Sequence, residues 1–335
     1  MKILIDENKN FYKASLHCHS KNSDGALSVE ALKEEFKKEG YSVVAFTDHE
    51  HLIDNSYLDD ENFLTITSCE LAIKQFPEQS TMKNLGMKVA HLNLYALDQH
   101  NTVTPCYNSV YDHFKNPDIE DKIKYVRNDY ERIYSAEGIS KLVRDANNAG
   151  FIVSYNHPIW SLENATDYLG YEGLFAVEIY NHSTEVAGAQ SYCPNVFDDF
   201  LRSGKKIFCT MCDDSHNHRG VRGKDADMFG GFVMINAERL DYSTIMNSLR
   251  NGDFYASQGP EIYSLVLDDD KVRIKTSSAA RISLSTAGRR TKAVNADENE
   301  AVTEAEFKVR ADDLYFRITV TDKFGKHANT QAYFI

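Results

Sequence analysis

The 335-residue chain has no G-x-x-x-x-G-K-S/T and no G-x-G-x-x-G, the loops that cradle phosphates in P-loop and Rossmann proteins, so nucleotide binding of either kind has no support. It also lacks G-x-S-x-G, which removes the nucleophile elbow of serine hydrolases. Positive charge is in deficit: 37 Lys and Arg stand against 50 Asp and Glu, a formal net charge of −13, and this argues against a nucleic-acid-binding surface. No apolar run approaches a membrane span. None of the signal-peptide kind follows the opening M-K-I-L-I-D-E, so the expectation is a cytoplasmic protein with no membrane partner. The six cysteines suit a reducing compartment. The lone C-x-x-C, Cys209 to Cys212, brackets Thr210 and Met211 in a predicted strand, where residues three apart face opposite sides. It reads as packing rather than as a zinc or redox motif, as does Cys69, while Cys18 is expected to point away from its neighbours His17 and His19.

What the chain has instead is a rhythm of strand and helix. Ser28 is a predicted N-cap, Val29, Leu32 and Phe36 form an apolar stripe at helical spacing, Gly40 ends the helix, and a strand over 42–47 follows at once. A second unit runs from Ile139 through Leu142, Val143 and Ala146 to Gly150 and into strand 151–155. A third runs from Val196 and Phe197 through Phe200 and Leu201 to Gly204 and into strand 206–211. This βα alternation predicts an α/β barrel domain over residues 1–258. Residues 98–137 break the rhythm with two prolines, five tyrosines and many charges, and read as a lid or binding loop, or as an extra surface helix over 119–134. A last helix is expected between its cap Asp241 and its stop Gly252. From 259 to 335 short alternating runs at 262–267, 272–276, 282–285, 306–310 and 315–320, separated by turn signals, predict a small antiparallel β-sandwich domain. The acidic stretch 295–304 reads as a solvated loop.

Nine residues with the chemistry of metal ligands punctuate the first domain. His17 and His19 lie in S-L-H-C-H-S, Asp24 in S-D-G, His49 in F-T-D-H-E and Glu70 in S-C-E-L. His91 lies in V-A-H-L-N, His157 in S-Y-N-H-P, and Asp214 and His216 in C-D-D-S-H. Imidazole and carboxylate suit Zn²⁺, Mn²⁺ or Fe²⁺. Singly, each has a plainer explanation: Asp-Gly is a common turn pair, proline stops strands, and a lone histidine more often packs than binds. Jointly, most of them follow short β-branched or aromatic runs at 43–46, 63–66, 151–153 and 206–208, and ligands arriving at the ends of successive strands converge on one mouth.

In order and context these motifs resemble the PHP (polymerase and histidinol phosphatase) family of metal-dependent phosphoesterases, over roughly residues 10–260. The resemblance implies a distorted (β/α)7 barrel holding two or three divalent ions, Zn, Mn or Fe. His17, His19, Glu70 and Asp214 would hold the first ion, and Glu70, His91 and His157 the second, with Glu70 bridging. Asp24, His49 and His216 would hold the third, and Glu70, Asp214 and His216 would form the catalytic set. The stretch F-Y-A-S-Q-G-P followed by a β domain is similar to the CehA/McbA-type branch, some of whose members cleave a carbamate ester.

Around the ligands, Asp48 and Asp213 each adjoin one and are candidates to accept from a metal-bound imidazole, or, for Asp48, merely to cap the turn. Glu178, Asn181 and His182 end another predicted strand and should reach the same mouth to meet substrate. His218, Arg219 and Arg222 are the nearest sequence-local cations for a phosphate or carboxylate, or else a solvated basic loop. The first expectation is hydrolysis of a small phosphomonoester, of nucleotide or sugar-phosphate type, by a metal-bridging hydroxide, since bound ions lower the pKa of water from about 15.7 to about 7. The partner is then a small anionic molecule, because the ions' own charge decides locally. Two other functions are carried alongside: a metal-dependent carbamate, ester or amide hydrolase, and a metal-binding module without turnover.

Overall fold

Capping and periodicity place the elements. Ser28 Oγ accepts from the Ala31 N–H at the start of helix 29–38, and Val29, Leu32 and Phe36 bury its apolar stripe. Asp241 Oδ1 accepts from the Thr244 N–H at 3.0 Å, and Gly252, at φ 77°, closes the same helix in the left-handed conformation that glycine adopts without strain. The computed structural model describes residues 1–76, 87–114, 116–126 and 128–335. The chain opens with β1 (Lys2–Ile5) and β2 (Asn10–Ser15), followed by α1 (Val29–Lys38), β3 (Tyr41–Phe46), β4 (Leu64–Lys74) and β5 (Val89–Ala96). Two-residue strands β6 (Val103–Thr104) and β7 (Lys124–Tyr125) lie in the long connection to α2 (Ala136–Asn148) and β8 (Phe151–Tyr155). Then come α3 (Ala165–Tyr168), β9 (Ala176–Asn181), α4 (His182–Val186), α5 (Pro194–Arg202), β10 (Phe208–Cys212), β11 (Phe232–Ala237), α6 (Tyr242–Asn251) and β12 (Phe254–Ser257). The remainder is strand apart from a 3-10 turn at Ala311–Asp313: β13 (Ile262–Asp268), β14 (Lys271–Ala279), β15 (Arg281–Thr286), β16 (Lys292–Asn295), β17 (Val302–Lys308), β18 (Tyr315–Thr321), β19 (His327–Thr330) and β20 (Tyr333–Phe334).

The result is a mixed α/β fold dominated by one large sheet. Its strand order is β10-β9-β8-β5-β4-β3-β2-β11-β12-β19-β18-β15-β16, with β20 beside β18. Pairing is parallel for β2–β3, β3–β4, β8–β9 and β9–β10, and antiparallel where β5 sits between β4 and β8 and where β11 meets β2. The helices α2 and α5 cover one face, sinking Ile139, Leu142, Val143, Val196, Phe197 and Phe200 into the largest apolar cluster. Among the described residues no helix is long and apolar enough to cross a membrane.

Beyond residue 260 the chain forms two layers around a second core that includes Ile262, Leu265, Ile274, Phe307 and Ile318. One layer has the order β1-β13-β14-β17, so the first residues of the chain, Lys2–Ile5, pair with the late strand β13. The other layer continues the large sheet through β12–β19, where Tyr255 lies opposite Thr330. Arg317 donates to both Asp198 oxygens at 2.7 Å, and the Gln331 side chain satisfies both the N–H and the carbonyl of Cys209.

Two local expectations fail. The described residues of 119–134 form no helix; turns occupy that stretch, together with the short β7, which pairs with β6. The acidic run 295–304 is only partly loop, because β17 begins at Val302 and its glutamates Glu304 and Glu306 face solvent on an edge strand. Alternation there is masked by charge on the outer face, where it does no harm to the sheet.

Candidate metal centre

Strand geometry brings all nine sequence-predicted ligands to one place. His17 and His19 leave the end of β2 two residues apart and therefore on one face. His49 follows β3, His157 follows β8, and Asp214 and His216 follow β10. Glu70 and His91 arrive differently. Strand β4 runs on to Lys74, so Glu70 is mid-strand, and β5 returns antiparallel with Asn93 opposite Glu70 and His91 opposite Ala72. Residues two apart share a face, so His91 is the diagonal neighbour of Glu70.

Glu70, 1% exposed, is the hub. Its Oε1 lies 3.2 Å from His17 Nε2, 3.1 Å from His91 Nδ1 and 3.3 Å from His157 Nε2. Its Oε2 lies 3.4 Å from His19 Nε2 and 3.2 Å from His49 Nδ1. Asp214 Oδ1 is 3.1 Å from His17 Nε2 and 3.0 Å from His19 Nε2, while Asp24 Oδ2 is 3.5 Å from both His49 Nε2 and His216 Nε2. Within each of four overlapping groups the donor atoms lie inside 4.8 Å of one another: His17, His19, Glu70 and Asp214; Glu70, His91 and His157; His19, Asp24, His49 and His216; His17, His157 and Glu178.

Of these contacts only that between His157 Nε2 and Glu70 Oε1 has hydrogen-bond geometry. Asp214 Oδ1 and His19 Nδ1 are buried and have no hydrogen-bond partner, which ordinarily costs about 1–3 kcal/mol for each group. His17 Nε2 and His19 Nε2 face each other at 3.3 Å. Imidazole and carboxylate donors converging on shared points in this way fit divalent ions, so the donor set passes the chemical test for a metal centre. The backbone is strained here too: His157, Asp214 and Asn217 have φ of 27°, 55° and 62°, and left-handed conformations in non-glycine residues cost about 1–3 kcal/mol each.

The charges agree. Burial would raise the Glu70 carboxyl, but His91 and His17 hold it well below the usual carboxylate range, and His17 does the same for Asp214. Burial opposes protonation of His17 and His19, yet Asp214, Glu70 and Glu178 raise His17 well above the ordinary imidazole value, and the adjacent carboxylates of Asp214 and Glu70 push His19 up to about 10. Burial and the neighbouring His19 instead push His49 down to about 3. In the ion-free protein at neutral pH, protons on His17 and His19 therefore stand where cations would stand. Ion uptake must displace them, so affinity should rise with pH until His19 deprotonates near 10. We expect two or three divalent ions per chain by elemental analysis, and proton release on uptake. Calorimetric titration in two buffers of different ionisation heat checks the second; equal heats in both contradict it.

The residues expected around the ligands divide. Glu178, 1% exposed, does not face the cavity: Oε1 accepts from His17 Nδ1 at 3.0 Å and Oε2 from the His157 N–H at 3.0 Å, so it orients two ligands from behind. Asn181 donates to Glu178 and, at 3.1 Å, to Asp214 Oδ2. His182 turns away to Tyr180 OH and packs under Gly230. Asp48 accepts from Ser20 N–H, Ser20 Oγ and Ser23 Oγ, fixing the loop that carries Asp24 rather than an imidazole. Asp213 accepts from the N–H groups of Phe229, Gly230 and Gly231. His218 Nε2 bonds the Asp24 carbonyl, Arg222 is spent on Glu35 and Glu39, and Arg219 lines a neighbouring cavity that shares Ser183, Ala187 and His216 with the metal cavity.

Above the ligands is a cavity of about 230 Å³, walled beyond them by Trp160, Ser183, Thr184 and Ala187. Trp160 is half exposed, with its ring 5.0 Å from those of both His91 and His157; Phe114, from the 98–137 insertion, stacks on His49 at 5.4 Å. Sequence reasoning missed both aromatics. It also missed Asn156, whose Nδ2 donates to Glu70 Oε1 at 2.7 Å, although Asn156 stands beside His157 in the N-H-P motif.

No curated protein matches the chain. Among solved structures it is similar to a two-domain protein containing a predicted PHP-like metal-dependent phosphoesterase from Bacteroides vulgatus ATCC 8482, at 14% identity, covering 100% of this chain and 98% of that one with a TM-score of 0.45. It is also similar to an amidohydrolase from Chromobacterium violaceum with bound sulfate and no metal, at 13% identity, covering 72% of this chain and 96% of that one with a TM-score of 0.42. Residues 15–153, which carry His17, His19, Asp24, His49, Glu70 and His91, match the PHP domain family model.

Proposed function

We propose that the protein is a metal-dependent hydrolase of small phosphomonoesters, with the nine clustered residues holding two or three ions of Zn, Mn or Fe. The observation that carries this reading is the overlap of the donor groups through His17, His19, Glu70 and His157, with His19 Nδ1 and Asp214 Oδ1 buried and without a hydrogen-bond partner. When bound, such ions activate a water near neutral pH and neutralise charge on substrate oxygens. The chain's own residues do the rest. Glu70 ties the groups together, Glu178 fixes the orientation of His17, Asn181 and Asn156 hold the carboxylates of Asp214 and Glu70, and Trp160 and Phe114 pack against the rings of His157 and His49. Asp214, which lines the cavity with His216, would orient the attacking water. Four carboxylates, Asp24, Glu70, Glu178 and Asp214, set against roughly four to six cationic charges would leave the site neutral with two ions and net positive with three, the case that suits a phosphate.

A second reading, hydrolysis of a carbamate, ester or amide, is favoured by one observation: among the described residues lining the cavity there is no Lys or Arg. The phosphate reading therefore leans on the ions, with Arg219 next door as the remaining cation. The supporting reading of the fold is a distorted (β/α)7 barrel over 1–258, with 98–137 as the insertion over its mouth, and a β-sandwich over 259–335. The parallel β2–β3–β4 and β8–β9–β10 runs and the change to hairpins after residue 260 support it. Matched phosphate and carbamate esters assayed with Mn²⁺ and Zn²⁺ separately decide between the chemistries. We expect phosphate release, and an Arg219→Ala loss of about 1.5–3 kcal/mol in efficiency on the phosphoester if that residue reaches the substrate. Turnover of the neutral esters alone would transfer the assignment to the second reading.

A further inference from the structure

We infer that Glu163 is a positioning residue for the ligand His157 and for Trp160, acting through the turn that joins them. The inference rests on the metal reading above. Glu163 is 7% exposed, and its carboxylate is held by phenols: Tyr134 OH donates to Oε1 at 2.7 Å, Tyr155 OH to Oε2 at 2.6 Å, and Tyr171 OH also to Oε1. The three tyrosines come from separate places, the approach to α2, strand β8 and the loop after α3. Three donors converging on one side chain call for a carboxylate. A glutamine amide can accept on one end only and would turn a donor toward a phenol on the other.

From this anchor the chain runs back to the metal cluster in one tight turn. The Glu163 N–H bonds Pro158 O at 3.2 Å, Leu162 N–H bonds Ile159 O at 3.2 Å, and Ser161 N–H bonds His157 O at 3.1 Å. At its other end the turn is pinned by the His157 N–H on Glu178. Ser161 Oγ stands 3.3 Å from His157 Nδ1, so that nitrogen is occupied and Nε2 is left facing Glu70 at 3.3 Å. Ser161 O also accepts from Val89 N–H at the start of β5, the strand of His91. His157 and Leu162 both sit at positive φ, so the turn persists only because both ends are fixed. Trp160, at its crest, lies against His91 and His157. Neither the capping of an element nor an ion pair explains this buried carboxylate; its one evident consequence is the position of the turn.

Trp160 is the chain's single tryptophan, so its emission reports on this group of ligands directly. The full-length protein, stripped by chelator and titrated with Co²⁺, should show quenching of Trp160. Glu163→Gln and Tyr171→Phe should each weaken that titration by about tenfold to a hundredfold, the usual range for residues that orient metal ligands. A role in stability alone would lower the melting temperature and leave the titration where it was, so affinities within about threefold of the parent in both variants overturn the inference. If Glu163→Gln does not fold, Tyr171→Phe decides by the same criterion. A parent protein that takes up no Co²⁺ overturns the metal reading and this inference with it, whereas normal uptake by the parent and by both variants overturns this inference alone.

Discussion

Glu70→Gln should remove turnover by about a thousandfold or more, about 4 kcal/mol of barrier, while the protein stays folded. Five imidazole nitrogens lie within 3.4 Å of the two Glu70 oxygens, and Glu70 belongs to two of the four donor groups. An amide keeps the volume but loses the charge, and one of its two ends becomes an N–H donor that cannot ligate. Asn156, which donates to Oε1 at 2.7 Å, would then face either a donor or a weakened acceptor. Asp24→Asn, by contrast, touches one group at the rim, where Asp24 is a quarter exposed, and should cost less. Metal content and activity measured together on both variants test the ranking. Activity of Glu70→Gln within about tenfold of the parent, with metal retained, is incompatible with a central Glu70, because tenfold is only about 1.4 kcal/mol.

Much of this centre could be read from residue order because ligand chemistry is local: an imidazole or carboxylate beside a strand end announces itself. The helices 29–38 and 242–251 were legible for the same reason, with cap and stripe adjacent in sequence. What escaped depends on contacts distant in the chain. Glu178 was expected to meet substrate, yet 161 residues separate it from the His17 ring it orients. Glu70 was placed after a strand ending at 66, because Cys69 and Leu71 carry no alternation; both faces of β4 are buried, and a doubly buried strand has no polar face to mark it. The pairing of β1 with β13 spans nearly the whole chain and leaves no local trace. Arg222 was near the ligands in sequence, but Glu35 and Glu39 of α1 and its end claim it.

The largest stability effect is expected at Arg132. Its guanidinium is fully buried and makes a bidentate pair with Glu50, also buried, at 2.6 and 2.5 Å. It donates further to the carbonyls of Cys106 and Ala72. Glu50 directly follows His49, and its N–H bonds the Glu70 carbonyl, so the pair ties the 98–137 insertion to the backbone of two ligands. Arg132→Met keeps the apolar stem and leaves a carboxylate buried without its cation, which should cost about 3–5 kcal/mol. Pairing it with Glu50→Gln removes the stranded charge and should restore part of that loss. Restoration cannot be complete, because the Cys106 and Ala72 carbonyls still lack their donor, at about 1–3 kcal/mol for each group left unsatisfied. Urea unfolding of the two single variants and the double variant measures the coupling directly. Phe114 should lose its stacking on His49 as the insertion loosens, so the double variant should bind metal less tightly than the parent even where its stability recovers. A single-variant loss below about 1 kcal/mol would mean that water reaches the pair, since exposed pairs are worth no more than that, and the insertion would then be held by His51–Asp112 and Asn116–Lys21 instead.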